Sequence, residues 1–140
     1  MTDTCLWFVH VPRTGGTDLA HQSRSWKTVD FFCNGHYGYK RDVHDELRER
    51  YSRVLLVTAL RDPVEHTLSL YSYTRGDPDH RLYRQSQGLS LAQWIAAYPG
   101  GLGAYFVWFF DRDAVTVEGA LGTLSIFDAI FDTYSLTPSM

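Results

Sequence analysis

A chain of 140 residues with a formal net charge of −3 corresponds to one ordinary domain, which we take as residues 1–140. Hydrophobic residues make up 44% and charged residues 21%, a composition that excludes intrinsic disorder and a fibrous repeat. The negative charge excludes a polycationic nucleic-acid-binding protein, and no apolar run approaches the ~20 residues of a membrane-spanning helix. Cys5 and Cys33 are too few for a disulfide framework, and the N-terminus lacks the pattern of a signal peptide. We therefore expect a cytoplasmic protein with no nucleic-acid partner and no membrane span.

Strand-forming and helix-forming segments alternate along the chain. In order, they are a strand over Leu6–Val11, a helix over Asp18–Trp26, a strand over Thr28–Cys33, a helix over Val43–Tyr51, a strand over Val54–Leu60, helices over Pro63–Tyr73, Ser90–Tyr98 and Ala114–Leu124, and a strand over Ser125–Phe131. Thr17 or Asp18 is positioned to cap the first helix. In the helix that starts at residue 63, the spacing of Val64, Leu68 and Tyr71 predicts the face that packs inward. This alternation favours an α/β fold with a parallel sheet.

The segment between the first strand and the first helix has the composition of an anion-binding loop. It reads His10-Val-Pro-Arg-Thr-Gly-Gly-Thr17. Paired glycines let backbone N–H groups approach an anion, and the N-terminus of the next helix adds unpaired donors and partial positive charge. Arg13 supplies a cation whose planar fork fits phosphate or sulfate, and Thr14 and Thr17 supply hydroxyls. The leading Gly and the Lys of a Walker A motif are absent, so the alternative is an ordinary Gly-Gly turn at a helix start.

A second polar segment follows the strand over Val54–Leu60. It reads Arg61-Asp-Pro-Val-Glu-His-Thr-Leu-Ser69, and Arg61 is expected at the carboxyl end of a buried strand, where open α/β sheets bind their ligands. Ser69 lies nearly two turns into the following helix, so its hydroxyl can reach the same anion as Arg61 if that helix lies against the strand end. The alternative is a structural turn at Arg61 with Ser69 facing solvent.

Together the two segments resemble the PAPS-dependent sulfotransferases, in particular the carbohydrate, heparan-sulfate-like branch and its bacterial relatives; PAPS is 3′-phosphoadenosine 5′-phosphosulfate. The first loop of that family typically reads H-[IV]-P-K-T-G-G-T, and this chain has His10-Val-Pro-Arg-Thr-Gly-Gly-Thr17. The second motif reads approximately L-R-D-P-V-E-R-x-x-S-x-Y, and this chain has Leu60-Arg-Asp-Pro-Val-Glu-His-Thr-Leu-Ser-Leu-Tyr71. Their order, spacing and strand-before-loop context agree, and the resemblance extends over about Leu6–Phe131.

The resemblance implies a P-loop-type three-layer α/β fold in which a small parallel sheet is flanked by helices. It implies that the 5′-phosphosulfate of PAPS is bound at the first loop and helix start, by Arg13, Thr14, Gly15, Gly16, Thr17 and Asp18. It assigns the 3′-phosphate, which distinguishes PAPS from ATP, to Arg61 and Ser69. The implied activity is transfer of the sulfuryl group from PAPS to a hydroxyl of a carbohydrate or small alcohol, which leaves 3′-phosphoadenosine 5′-phosphate (PAP).

Two departures from the family pattern affect these expectations. Arg13 stands where the family motif has Lys; arginine keeps the charge that stabilises the departing phosphate, but it is bulkier and a poor proton donor. The substitution therefore bears on the reaction rate more than on binding. Family catalytic domains are usually much longer than this chain, so the resemblance implies a short or truncated member.

A base for the acceptor hydroxyl is expected at His36. Transfer to an alcohol requires such a base, and a histidine with a pKa near neutrality suits it. His36 resembles the histidine that sugar-sulfating relatives carry between the two motifs, and Gly35 and Gly38 are expected to leave room for an acceptor beside it. The alternative is a loop histidine without a chemical role.

The other histidines are expected to be structural or exposed. Cys33, His36 and His44 match no zinc-ligand spacing, so no metal site is expected. His10 is expected to pack at the end of the first strand. Three more are expected at the surface: His21, His66 and His80.

Two other functions remain compatible with the motifs. One is a catalytically inactive, truncated relative that binds PAPS or PAP without turnover. The other is a P-loop kinase acting on a nucleotide or small alcohol, against which the missing Walker Lys and the lack of an evident Mg²⁺ carboxylate count. The aromatic run Tyr105–Phe110 is expected in the core or as the contact surface of a homodimer.

Overall fold

Strands and helices alternate up to the third strand, several helices then follow one another before the fourth, and the computed structural model describes residues 2–133. In chain order the elements are β1 (Thr4–Val9), α1 (Gly16–Ser23), β2 (Asp30–Phe32), α2 (Arg41–Arg50), β3 (Arg53–Leu60), α3 (Pro63–Gly76), α4 (Tyr83–Ser86), α5 (Leu91–Ala97), a 3₁₀ turn (Leu102–Ala104), α6 (Tyr105–Phe110), α7 (Val117–Leu124) and β4 (Ala129–Asp132). Each predicted strand and helix is therefore present, with ends that differ by a few residues.

The four strands form one sheet in the order β2-β1-β3-β4, and every neighbouring pair is parallel. Strands β1 and β3 are central. The last residues that they pair with each other are Val9 and Thr58. The predicted α/β class with a small parallel sheet flanked by helices is confirmed. Because parallel strands end at the same edge, the loops that follow β1 and β3 lie side by side there.

Alternate side chains of the central strands enter two apolar clusters, one on each face of the sheet. Trp7 belongs to one cluster and Phe8 to the other. The first face is covered by helices α2, α6 and α7, through Leu47, Phe109, Phe110 and Ala120. On the second face, Leu19 of α1 packs against the cluster around Phe8. Helices therefore cover both faces, and the sheet holds the ends of β1 and β3 in fixed positions.

The start of α1 differs from the prediction. Helix α1 begins at Gly16, its N-cap is Gly15 with φ 86°, and no side chain caps it. The expectation that Thr17 or Asp18 caps this helix is therefore wrong. The left-handed turn at Gly15 starts the helix earlier, so Thr17 and Asp18 become residues of its first turn.

The buried face of α3 also differs from the prediction. Val64 and Leu68 are 67% and 46% exposed, whereas His66, Leu70 and Thr74 are buried. The inward face is therefore set by positions four residues apart, and His66, expected at the surface, is only 2% exposed. This face packs against the loop after β1 and against α6, because the His66 ring contacts both.

The aromatic run over Tyr105–Phe110 forms helix α6. Phe109 and Phe110 are buried in the cluster around Trp7, and the other four residues pack half-buried against it. The aromatic run thus packs largely against other parts of the same chain. A homodimer formed through it stays a prediction.

Three expectations concern spans, cysteines and metals. Within residues 2–133, no helix is long and apolar enough to cross a membrane. Both cysteines are free, and burial raises the pKa of the Cys5 thiol to about 11. Over the same residues, no group of three or more His, Cys, Asp or Glu side chains is placed to hold a metal ion.

Candidate functional site

The loops after β1 and β3 border one cleft at the carboxyl edge of the sheet, which we call the anion cleft. Its volume is about 560 Å³. It is lined by His10, Pro12, Arg13, Gly15, Gly16, Thr17, Asp18, His36, Arg61, Tyr73 and Thr133. The fold thus brings both motifs and the predicted base to one place. Thr14 and Ser69 are the two predicted site residues outside this lining.

The backbone of the first loop presents N–H groups to the cleft. Arg13 and Gly15 both have positive φ, 68° and 86°, and the eight-residue helix α1 starts directly after them. Among the described residues, no acceptor is bonded to the N–H groups of Gly16, Thr17 and Asp18. Left-handed turns that converge N–H groups at a helix N-terminus form an anion-binding concavity. The positive φ of a non-glycine residue at Arg13 is a strained conformation of the kind found at functional sites.

The His10 ring packs against this loop and limits its position. A Cβ atom on Gly16 would overlap the ring of His10, so only glycine fits there. The His10 ring stacks on Phe8, with centroids 5.6 Å apart, and contacts His36 at 4.8 Å. As expected, His10 packs at the end of β1. It contacts both the loop after β1 and His36, the predicted base.

Replacing Gly16 by Ala is expected to destabilise the fold by about 1–3 kcal/mol, the usual cost of overpacking, because the His10 ring has to move. Gly122→Ala is the matched control: it lies in α7 with nothing within 4 Å of a new Cβ, so it should stabilise by roughly 0.5–1 kcal/mol. Urea denaturation followed by circular dichroism measures both. A Gly16→Ala protein as stable as the parent would contradict the close contact between the His10 ring and Gly16.

Thr14 and Asp18 contribute less to the cleft than their positions in the motif suggest. The Thr14 side chain is fully buried, and its hydroxyl donates to the Val11 carbonyl oxygen at 2.6 Å. That hydroxyl therefore holds the loop rather than a ligand. Asp18 lines the cleft, and its carboxylate would repel an anion, so the group that Asp18 can offer to an anion is its backbone N–H.

The two motifs meet at Arg13. Its Nε donates to the Ser69 Oγ at 3.0 Å, and Nη1 of Arg61 donates to the Arg13 carbonyl oxygen at 3.4 Å. The Arg13 guanidinium lies over the Tyr73 ring, 4.8 Å from its centroid. Arg61 also forms a 3.8 Å ion pair with Glu65. Ser69 and Arg61, the two residues that the resemblance assigns to the 3′-phosphate, therefore both contact Arg13.

His66 is a site residue that sequence reasoning missed. Its Nε2 lies 2.9 Å from the carbonyl oxygen of Pro12 and donates to it, and its ring packs on Tyr105 and Phe106. It therefore ties α3 to the loop that carries Arg13. The signal available was its spacing, since His66 lies four residues before Leu70 and eight before Thr74, the other buried positions of α3. We class it as a positioning residue.

The loop that carries His36 is anchored on both sides of that residue. Asn34 Nδ2 donates to the Gly38 carbonyl oxygen at 3.0 Å, and Arg112 Nη1 donates to the Tyr37 carbonyl oxygen at 2.8 Å. A Cβ on Gly38 would lie 2.5 Å from the Phe109 carbonyl oxygen, so close backbone packing requires this glycine, not room for an acceptor. At Gly35 a Cβ would meet only the Tyr37 ring, at 3.9 Å, which is ordinary van der Waals contact. The loop holds His36 at the surface, facing the anion cleft.

Both cleft histidines favour the neutral form. Although the His36 side chain is exposed at the cleft, partial desolvation by the surrounding protein lowers its pKa below the usual value of 6.5. Burial, and then repulsion from His36, lower the pKa of His10 to about 4. At neutral pH the imidazole of His36 is therefore unprotonated, which is the state a general base needs.

Acid is expected to destabilise the protein below about pH 6.5. Burial lowers the pKa of four histidines from 6.5: His10, His36, His44 and His66. Between the lowered pKa values and 6.5, the unfolded chain binds more protons than the folded one, so stability is full above 6.5 and falls as the pH drops toward about 4. Thermal melting from about pH 7.5 to about pH 5 should show the loss. His10→Gln should reduce it, whereas His21→Gln, at an exposed position of α1, should not. Identical pH profiles for the parent and His10→Gln would contradict the cause given for His10.

Comparison with known proteins adds no relative to these observations. No protein-family model, curated protein or solved structure matches the chain. The family resemblance of the two motifs therefore stays an expectation, and the function has to be inferred from the cleft itself.

Proposed function

We propose that the chain is a PAPS-dependent sulfotransferase that transfers a sulfuryl group to the hydroxyl of a carbohydrate or small alcohol. The proposal includes a P-loop-type role for the loop after β1. The observation that carries it is the convergence on one cleft of Arg13, Arg61 and His36, two cations and a neutral base from three separate loops. Sulfuryl transfer needs this combination: cations for the phosphate that departs and a base for the hydroxyl that attacks.

The residues present fit the anionic ends of such a nucleotide. The unpaired N–H groups of Gly16, Thr17 and Asp18 and the strained turn at Arg13 suit the 5′-phosphosulfate. Arg61 and Ser69 suit a second phosphate beside it, because both contact Arg13: Arg61 follows the central strand β3 directly, and Ser69 reaches Arg13 from α3. Glu65 lies against Arg61 and partly offsets its charge, so the affinity for this second phosphate depends on how far the pair opens.

In the proposed reaction, PAPS supplies the sulfuryl group: the acceptor oxygen bonds to sulfur as the bond from sulfur to the bridging phosphate oxygen breaks, leaving PAP. His36 accepts the hydroxyl proton, which its lowered pKa permits at neutral pH. Arg13 and the N–H groups of α1 stabilise the negative charge that grows on the 5′-phosphate. The His10 ring contacts both Gly16 and His36, so it holds the loop after β1 and the proposed base in fixed relative positions.

PAP is expected to bind more tightly than ADP by roughly tenfold to a hundredfold, because a lost charge-assisted contact costs ~1.5–3 kcal/mol. PAP carries the 3′-phosphate that we assign to Arg61 and Ser69, whereas ADP carries its second phosphate on the 5′-phosphate instead. Isothermal titration calorimetry in one buffer, with and without Mg²⁺, measures both affinities. Equal affinities would remove the 3′-phosphate assignment.

The same titrations and a turnover assay separate the alternatives. A protein that binds PAP but transfers sulfate to no acceptor is the inactive PAPS-binding relative. A protein that prefers ATP with Mg²⁺ is a P-loop kinase. The cytoplasmic location and the homodimer through Tyr105–Phe110 stay predictions; analytical ultracentrifugation of the parent tests the second.

A further inference from the structure

A second cavity adjoins the anion cleft at His36. Its volume is about 480 Å³, and Arg13, His36 and Tyr73 line both cavities. A third cavity of about 440 Å³ shares Arg81, Tyr98 and Tyr105 with the second. We call the second and third cavities together the aromatic groove. It runs from Arg13 and His36, which it shares with the anion cleft, toward the end of α5 and toward α6.

The lining of the aromatic groove is mostly apolar, and its charged side chains are arginines. Its walls are tyrosines, Trp108, Phe109 and aliphatic side chains, and its polar side chains are tyrosines, histidines and arginines. Within the described part of the chain, residues 2–133, no Asp, Glu, Asn or Gln lines either cavity. The side-chain acceptors that these residues offer are tyrosine hydroxyls and histidine ring nitrogens alone. A sugar exposes many hydroxyl donors on both faces, so many of them lose a water partner without gaining an acceptor in such a site. A flat, largely apolar molecule gains contacts with the aromatic walls instead.

Of the residues that the structure describes, the exposed Arg81 is the single charged one in the lining of the third cavity, and it also lines the second cavity, so it lies where the two join. Among residues 2–133 it has neither a carboxylate within ion-pair distance nor a hydrogen-bond acceptor for its side chain. It lies close enough to Tyr98 for its charge to oppose the rise that burial causes in the pKa of the Tyr98 hydroxyl. An unpaired guanidinium beside aromatic walls is suited to a carboxylate or other anionic group.

We propose that the aromatic groove binds the acceptor, and that the acceptor is an aryl alcohol with an anionic group rather than a carbohydrate. Its hydroxyl lies at His36 and its anionic group at Arg81. The proposal rests on the function proposed above: the phenolic oxygen forms the new bond to sulfur, its proton passes to His36, and PAP leaves. Three features carry it: the groove adjoins the anion cleft at His36, it lacks side-chain carboxylates and amides, and Arg81 is unpaired.

The test measures binding directly, so it does not depend on turnover. Calorimetry with and without saturating PAP compares 3-(4-hydroxyphenyl)propanoate with its methyl ester and with D-glucuronate, a sugar of the same charge. The aryl acid should bind at least about tenfold more tightly than either, because the ester lacks the charge and the sugar lacks the apolar face. Arg81→Gln should abolish the preference for the acid over the ester. Arg84→Gln, an exposed arginine one turn further on and outside the groove, should leave it unchanged.

Failure of the acceptor proposal is distinguishable from failure of the proposed function. Glucuronate binding as tightly as the aryl acid, or an unchanged acid preference in Arg81→Gln, overturns the aryl acceptor whatever PAP does. Lack of PAP binding overturns the sulfotransferase and leaves the groove without an acceptor role. Tight PAP binding, with an aryl acid preference that depends on Arg81, supports both.

Discussion

His36→Ala is expected to lower the rate of sulfuryl transfer by ~10²–10⁴, the usual contribution of a positioned general base. The imidazole lies between the anion cleft and the aromatic groove, and its lowered pKa keeps it unprotonated at neutral pH. Single-turnover transfer of labelled sulfate from PAPS to a panel of alcohols, with each protein saturated in PAPS, measures the rate. PAP affinity should change little, because the phosphate ligands that we assign are Arg13, Arg61, Ser69 and the N–H groups of α1.

The pH profile distinguishes chemistry from folding in this variant. In the parent, the rate should fall as the pH drops below the lowered pKa of His36, so the acid limb lies below 6.5. In His36→Ala that limb should be lost. His21→Ala, an exposed histidine on α1, is the matched control and should retain the parent rate and profile. A His36→Ala protein as fast as the parent would remove this residue from the reaction.

Arg13→Ala is expected to weaken PAP binding by roughly tenfold to a hundredfold, since a charge-assisted hydrogen bond is worth ~1.5–3 kcal/mol. The variant loses the cation of the loop, its bond to Ser69 at 3.0 Å and its packing over Tyr73. Arg13→Lys keeps the charge and should retain most of the affinity. Calorimetry with PAP measures each variant.

The control for Arg13 is an arginine at the opposite edge of the sheet. Arg53 begins β3 and is exposed, so Arg53→Ala changes the net charge equally without touching the cleft. PAP should bind this control like the parent. An Arg13→Ala protein that also binds like the parent would place the anion elsewhere and remove the loop from the proposed site.

Local patterns predicted most of the fold. The apolar run ending at Leu60 appears as the central strand β3, and Ser90 caps α5 in a reciprocal capping box with Gln93. Such features depend on residues close together in sequence, so their pattern is sufficient to predict them. The face of α3 was predicted wrongly because packing, not periodicity, decides which stripe of a weakly amphipathic helix is covered. His66 is buried there because its ring nitrogen gains the Pro12 carbonyl as a partner.

The sequence by itself determined that a loop with an arginine and paired glycines follows the first strand and that an arginine follows the third. Both signals are local, because they consist of a turn, a helix start and a charge within a few residues. Only the tertiary structure decided that Arg13 bonds to Ser69, 56 residues away, and that the His10 ring fills the space beside Gly16 and His36. These contacts depend on the strand order β2-β1-β3, which sets the loops after all three strands side by side at one edge of the sheet. A local pattern does not specify that order, because it arises from the pairing of strands far apart in the chain.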